Sequence, residues 1–400
     1  MDKLAAKVNW HHATIEGSYF AAFSAIWGFG PVLLLHLGLS NSMLGMITSL
    51  ALLLPLLVQP CLAALSDADR HWTSRRLALA LSVLTLAASV VMTLYTGEKT
   101  VLLVCYILIG VSLVSTAPFF NSMVMAYHLR GVNVNYGLGR GTGSATYALV
   151  ALVLGDVLER RAPTVILPVL LIMLAVQIAA VWSFRYPLPA AAEMERSAPS
   201  QVLGVLGLLR RYPGFTVLLV GCALLQGGHN ACNTYMIHIA AKVGEGEGMM
   251  GVLLALSAIV ELPAMSLFPR MRRHLSLRAL LRICAAGFVL KDLLFLLAGP
   301  PVLLYAAALL QFFEFGIFLP ATVYYVAEHL DSANQGKGQG LIHVCSNGLG
   351  PAAVTAVGGR LIDGWGVNVF LVFAAACAAA GLLVVITATS RHFEREDSKG

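Results

Sequence analysis

"LGMITSLALLLPLLVQPCLAALSDADRHWTSRRLALALSVLTLAASVVM", residues 44–92, sets two uncharged apolar runs on either side of one short charged loop. No residue from Leu44 to Ser66 is charged, and none from Leu77 to Met92. A helix needs roughly 20 mostly apolar residues to cross the hydrocarbon core of a bilayer, about 30 Å thick. Backbone in lipid must satisfy its own hydrogen bonds, so only helices or a closed barrel can span. These runs are long, rich in Leu and Ala, and free of strand-like alternation, which selects helices.

The rest of the chain repeats the pattern. Of its 400 residues, 58% are apolar and only 12% are charged. A soluble domain carries about 25% charged residues, so this chain cannot cover a water-facing surface. The net charge of +6 does not point to nucleic acid, because the basic residues sit in short gaps between apolar runs and form no basic domain. They read as topology signals. The seven cysteines fall in or beside apolar runs without a CxxC, and read as small buried hydrophobes. No short leader with a small-residue cleavage site opens the chain, so the first span is expected to be retained.

Twelve spans are expected, at 15–38, 42–65, 77–96, 101–127, 141–159, 164–184, 214–241, 248–270, 276–298, 301–328, 339–361 and 367–390. The longest polar interval, 185–213, separates six spans from six. It holds Pro187, Pro189, Glu193, Glu195, Arg196 and Pro199. The expected organisation is a six-helix bundle over 1–184, a cytoplasmic linker over 185–213 and a second six-helix bundle over 214–400. With the N-terminus in the cytoplasm, about 20 Lys/Arg face the cytoplasm and about 5 the other side, which sets both termini inside. The halves echo each other. Gly17 is matched by Gly228, and Gly45 in "LGMITSLALLLP" by Gly251 in "MGVLLALSAIVELP". Parallel six-span repeats are a known transporter plan, with solute held near the midplane between the repeats.

The loop "QPCLAALSDADRHWTSRRL", residues 59–77, resembles the signature loop of the major facilitator superfamily. Asp67, Arg75 and Arg76 match its charged positions, while Ala64 and His71 stand near the usual glycines. The resemblance implies a charge clamp, an acid at one helix end pairing with arginine to hold one conformation shut. Within the superfamily the chain is similar to the group of proton symporters that contains the lactose, nucleoside and phenylpropionate permeases. "NYGLGRGTGSATY" resembles the start of the fifth helix and puts Arg140 at a substrate-binding arginine and Tyr147 at a sugar-stacking aromatic. "SAIVELP", "FVLKDLL" and "LLQFFEFGIFLP" put Glu261, Lys291 and Glu314 at the coupling positions of spans 8, 9 and 10. Two positions depart from the group. Asn121 stands at the fourth-helix acid and Gln311 at the tenth-helix histidine, which argues against lactose itself as the solute.

Charges inside spans are the informative residues, because each costs about 2.5–3.5 kcal/mol at mid-bilayer without a partner or water. Burial disfavours the charged form of Glu314, a property that lets a carboxyl load and unload a proton as water access changes sides. The other reading is a permanently protonated side chain that bonds a neighbouring helix. Glu261 carries the same two readings. Gln311, three residues before Glu314, shares its face. Lys291 is the expected cross-helix partner of Glu261 or Glu314. Asp292, on another face, is assigned to helix packing. Arg140 reads as a cavity residue or as a loop arginine, and Gly137, Gly139, Gly141 and Gly143 around it as close-packing positions. Gln226, His229, Asn230 and Asn233 fall at i, i+3, i+4 and i+7 of span 7, one polar stripe for solute or for interhelical contact. Glu16, Tyr19, Phe23 and Trp27 share a stripe of span 1, and Glu16 is read as gating or solvated. His11 and His12 are assigned to an interfacial tail.

The expected function is secondary transport by alternating access, a symport of a sugar, nucleoside or aromatic acid driven by protons. Glu314, Glu261 and Lys291 would couple the proton. Arg140, Tyr147, Asn121, Gln226, His229, Asn230, Asn233 and Gln311 would bind solute, and Asp67, Arg75 and Arg76 would gate. No cofactor or metal is expected beyond the proton as coupling ion, and no catalysis, since no HExxH, GxSxG or Cys/His site occurs. A proton-coupled exporter is the alternative. Span 5 lacks the proline such helices carry, although span 11 holds "GLGPAAVTAVGG". The partners expected are the solute and the bilayer of a bacterial inner membrane, with the protein a monomer.

Overall fold

A computed structural model describes residues 2–68, 71–187 and 203–390. The middle of the 185–213 linker therefore lies outside the described residues, as does the side chain of Asp67. Among the described residues the fold is helical, with no strand. The chain divides into two compact units, Met1–Glu195 and Arg196–Gly400.

The first unit opens on α1 (Asp2–Phe23), which runs through a π-turn at Ser24–Gly28 into α2 (Phe29–His36). Then come α3 (Asn41–Ala68), α4 (Ser74–Leu94), α5 (Lys99–His128), α6 (Tyr136–Leu158) and α7 (Ile166–Ser183). The second unit begins with the short α8 (Val205–Arg211). Its seventh span is α9 (Pro213–Thr234) continued by α10 (Met236–Lys242), and the eighth and ninth are α11 (Glu247–His274) and α12 (Leu277–Leu297). The tenth span is broken into α13 (Val302–Leu309) and α14 (Phe315–His329). The eleventh is α15 (Ser332–His343), a π-turn and α16 (Gly350–Trp365), and the twelfth is α17 (Val367–Ala388).

Eleven of these spans are long and apolar enough to cross a membrane. The remaining one, α12, is 21 residues long but carries Arg278, Arg282, Lys291 and Asp292. Charge, not length, sets it apart.

Each unit packs its helices in the same pattern. In the first, α1 packs on α6 and α7, α5 on α3 and α4, and α4 on α7. In the second, α9 packs on α16 and α17, α14 on α11 and α12, and α12 on α17. The pseudo-repeat is thus a repeat of contacts. Its register differs from the one read in the sequence. Gly17 lies against Thr142 and Thr146 of the fifth span, whereas Gly228 lies against Asp292 and Ala374 of the ninth and twelfth. The true counterpart of Gly17 is Gly227, which abuts Val354 and Gly350 of the eleventh span. Corresponding helices also start alike. Thr73 caps α4 by accepting from Arg76 N, and Ser276 caps α12 by accepting from Ala279 N. Gly366, at φ 86°, ends α16 and begins α17, a left-handed turn that a side chain would strain.

Several expectations are corrected. The first span starts near Asp2, not residue 15, so His11 and His12 belong to a packed helix and not to a tail. The polar run 332–338 forms helix, extending span 11 beyond its apolar part. Of the cysteines, Cys61 is exposed and Cys345 and Cys377 are only half-buried, so burial holds for Cys105, Cys222, Cys232 and Cys284 alone.

Candidate functional site

The tenth span breaks where the sequence reads as continuous helix. After α13 the backbone tightens into a 3₁₀ turn over Leu310–Phe312, and Glu314 leaves helical geometry at φ −84°, ψ −89° before α14 starts. Non-helical backbone at membrane depth survives only where protein surrounds it. Here Gly287 of α12 comes close enough that a Cβ would sit 3.2 Å from Glu314 N. On the other side, a Cβ on Gly316 would overlap Ala264 of α11 at 2.4 Å. The freed carbonyl of Glu314 accepts from Phe318 N at 2.8 Å and from the Cys284 thiol at 3.3 Å.

The break turns Glu314 onto Lys291. Both are buried, Glu314 at 1% and Lys291 at 2% exposure. The Lys291 ammonium bonds Glu314 Oε1 and the side-chain oxygen of Gln311. Gln311 Nε2 in turn donates to Glu261 Oε1 at 2.7 Å. Two carboxyls thus share one ammonium, one directly and one through an amide. Removing one partner of a buried pair costs about 3–5 kcal/mol, because the other charge is left uncompensated. Of the two partners expected for Lys291, Glu314 is the direct one and Glu261 is reached through Gln311.

The polar stripe of α9 joins the same network. His229 Nδ1 lies 3.2 Å from Glu314 Oε1, and the ring stacks on Phe315 with centroids 5.8 Å apart. Asn233 Nδ2 donates to His229 Nε2 at 3.0 Å, and Asn230 Nδ2 donates to the Gln226 carbonyl at 2.9 Å. Glu261, Lys291, Gln311, Glu314, His229 and Asn233 therefore form one connected cluster, while Gln226 and Asn230 pair with each other one turn away. Asp292, assigned to helix packing, is 2% exposed, accepts from the Cys232 thiol of α9 at 3.7 Å, and among the described residues leaves Oδ2 without a hydrogen-bond partner. Its one sequence signal is that Gly228 and Cys232, at i and i+4 of α9, open a small-residue face toward it.

The first unit holds a second polar cluster. Arg140 stacks its guanidinium 4.5 Å over the Phe20 ring. Gly139 and Gly143 let α6 close on α1, against His12 and Phe20, so two of the four glycines pack as expected. Gly141 has nothing within 4 Å. Asn121 is half-buried with Oδ1 unpartnered. Tyr147 lies beside Phe23, centroids 6.5 Å apart, and its carbonyl accepts from Ser24 Oγ at 3.1 Å. Phe23 stacks on Trp27 at 5.5 Å. The loop arginines are tied down elsewhere: Arg75 donates to the Trp182 carbonyl at 3.1 Å and Arg76 to the His71 carbonyl at 2.6 Å.

The family model described as the MFS_1 like family matches residues 13–374. A maltose permease of Geobacillus stearothermophilus is 27% identical over 380 residues, 94% of this chain and 93% of that protein. Among solved structures, the nucleoside transporter NupG superposes with a TM-score of 0.79 at 13% identity, covering 95% of this chain and 98% of the other. A D-xylose-proton symporter gives 0.68 at 13% identity, covering 94% and 95%. At these identities the structural matches speak for the fold.

Proposed function

The chain belongs to the MFS_1-like family of major facilitator transporters, and from that premise we propose that it takes up a small polar organic solute together with protons. That it is a multi-pass membrane transporter follows from the family and the spans. Coupling, direction and solute are the further step. One observation supports the coupling above the rest: the buried Lys291–Glu314 pair at the break of the tenth span.

A proton arriving on Glu314 removes the charge that holds Lys291. The ammonium then keeps Gln311 and, through it, Glu261. His229 loses its anion as well. One protonation thus re-sorts four side chains carried by α9, α11, α12 and the broken tenth span. Discontinuous helices carrying ion sites are a recurring device of alternating access. A membrane potential supplies about 2.3 kcal/mol per charge per 100 mV, enough to drive accumulation. Arg140, Asn121 and Tyr147 contribute solute contacts in the first unit, and Arg75 and Arg76 act at the gate. A bacterial inner membrane, cytoplasmic termini and a monomer complete the reading.

The test is uptake into proteoliposomes under an imposed inward proton gradient, with labelled maltose, uridine and phenylpropionate. Accumulation of one of these above equilibrium, collapsed by a protonophore, is the expected result. Equilibration without accumulation, indifferent to the gradient, would remove proton coupling.

A further inference from the structure

We propose that Asp292 is a second proton-binding site of the transporter, set where α9, α12 and α17 meet and apart from the Lys291–Glu314 pair. The inference rests on the proton-coupled reading above for its use in transport, and its test is made without transport.

The site is built on a buried oxygen. Asp292 is the one buried aspartate among the described residues. Its Oδ1 accepts from the Cys232 thiol at 3.7 Å, and a thiol is a weak donor. Its Oδ2 has no hydrogen-bond partner among the described residues. A Cβ added to Gly228 would lie 3.1 Å from Asp292 Oδ2 and 3.3 Å from the Ala374 carbonyl oxygen. Two oxygens, one from α12 and one from α17, therefore border the same glycine of α9. Buried polar groups are normally satisfied, so an orphan oxygen at this depth marks a place where something binds.

The charge count says what that is. Lys291 supplies one ammonium, and the carboxyls of Glu261, Asp292 and Glu314 lie around it. The ammonium bonds Glu314 directly and reaches Glu261 through Gln311. Asp292, on another face of α12, shares neither bond. The titratable groups that face it are Cys232 of α9, Cys377 of α17 and Glu314 of the tenth span, with Lys291 beside it on its own helix. His229, the remaining titratable side chain of α9 at this depth, is turned to Glu314. No second cation is among them. A buried carboxylate without a cation of its own is costly, and a second negative charge nearby raises the cost. Of the three acids, Asp292 is the one left to hold a proton.

The donor set favours a proton over a metal cation. Hard cations are held by sets of about six oxygens. Here one carboxylate oxygen and one helix carbonyl border the spot, and the other polar atoms are thiols, which suit soft metals. A proton needs a single oxygen. The same electrostatics ties the site to the ion pair. A proton arriving on Glu314 removes a like charge and frees Lys291, and both changes favour the anionic form of Asp292. The two acids thus compete for protons through one lysine. A packing carboxyl held permanently neutral would not respond in this way.

The experiment is an infrared titration of the purified full chain, without solute, from acid to alkaline pH. Carbon-13 labelling of the aspartate carboxyls separates their C=O stretch from that of the glutamates. Exposed aspartates are ionised at neutral pH, so a protonated-aspartate band that persists there and fades on alkalinisation is the expected result. Asp292→Asn should remove the band. In Glu314→Gln it should fade at a lower pH than in the wild type. Melting curves show whether the variants are folded, and the labelled wild type needs no variant. A band that alkali never removes marks a permanently neutral packing residue and overturns the proposal. So does the absence of any protonated aspartate at neutral pH. Loss of the band on adding sodium but not choline, at fixed pH, overturns it in favour of a metal-cation site. Uptake indifferent to a proton gradient, with the titration as expected, would remove the coupled reading and still support the site.

Discussion

His229 Nδ1 faces Glu314 Oε1 at 3.2 Å while its other nitrogen, Nε2, accepts the Asn233 amide at 3.0 Å. An amide nitrogen can only donate, so in the neutral ring the proton rests on Nδ1, on the side of the acid. The polar stripe of α9 is therefore wired to the carboxyl of the broken span. A hydrogen ion on Glu314 is felt at Asn233, two residues away in this chain of contacts.

Glu314→Gln keeps the shape and loses the proton site. Uphill solute accumulation should fall to the level of simple equilibration, while exchange of labelled for unlabelled solute across vesicles persists. Exchange needs binding and reorientation but no net proton movement. Survival of uphill accumulation in this variant would place the coupling group elsewhere.

Lys291→Met tests the pair from its other side. It strands Glu314 in a site where the charge has no ammonium, and a cost of about 3–5 kcal/mol is expected. Adding Glu314→Gln should recover most of that loss, because the double variant leaves no buried charge. Thermal unfolding of the wild type, both single variants and the double variant closes the cycle. A double variant less stable than either single would show that the two residues do not act as a pair.

Much of this was legible in the residues, and the reason is physical. Long uncharged runs have one solution in lipid, so the helices and the resemblance to the superfamily could be read directly. A charge within an apolar run is conspicuous for the same reason, which is how Glu261, Lys291 and Glu314 stood out. What stayed hidden was set by tertiary contact. The break at Glu314 comes from neighbours on α11 and α12 that local propensity does not contain. His12 and Glu16 sit in a polar stretch that reads as an interfacial end, and only the approach of Gly139 makes it interior. Their i, i+4 spacing was the available clue. Asp292 was set aside because its neighbour Lys291 took the obvious role.

Gly350 is the tightest contact in the eleventh span. A Cβ there would lie 2.0 Å from the Ala223 carbonyl, and backbone cannot move aside as a side chain can. Gly350→Ala must push α16 off α9, and overpacking of this kind costs about 1–3 kcal/mol or more. A lower Tm and reduced yield of folded protein are expected. By contrast Gly141→Ala, with open space around it, should melt like the wild type. Equal melting of the two variants would contradict the packing described for the second unit.

Arg140 is the opposite case to Lys291. It is half-buried, it rests on the Phe20 ring, and among the described residues no carboxylate lies within ion-pairing distance of it. Arg140→Ala therefore strands no charge. Its stability cost is limited to the cation–π contact, about 0.5–1 kcal/mol. If the guanidinium is held free for solute, affinity should fall much further than stability, by about tenfold or more for a charged hydrogen-bond donor. Arg140→Lys keeps the charge but loses the planar fork, and intermediate affinity is expected. Parallel melting curves and solute titrations measure the two effects on one sample. A variant that melts far below the wild type, with affinity unchanged in the folded fraction, would make Arg140 a structural residue and empty the first unit's site of its cation.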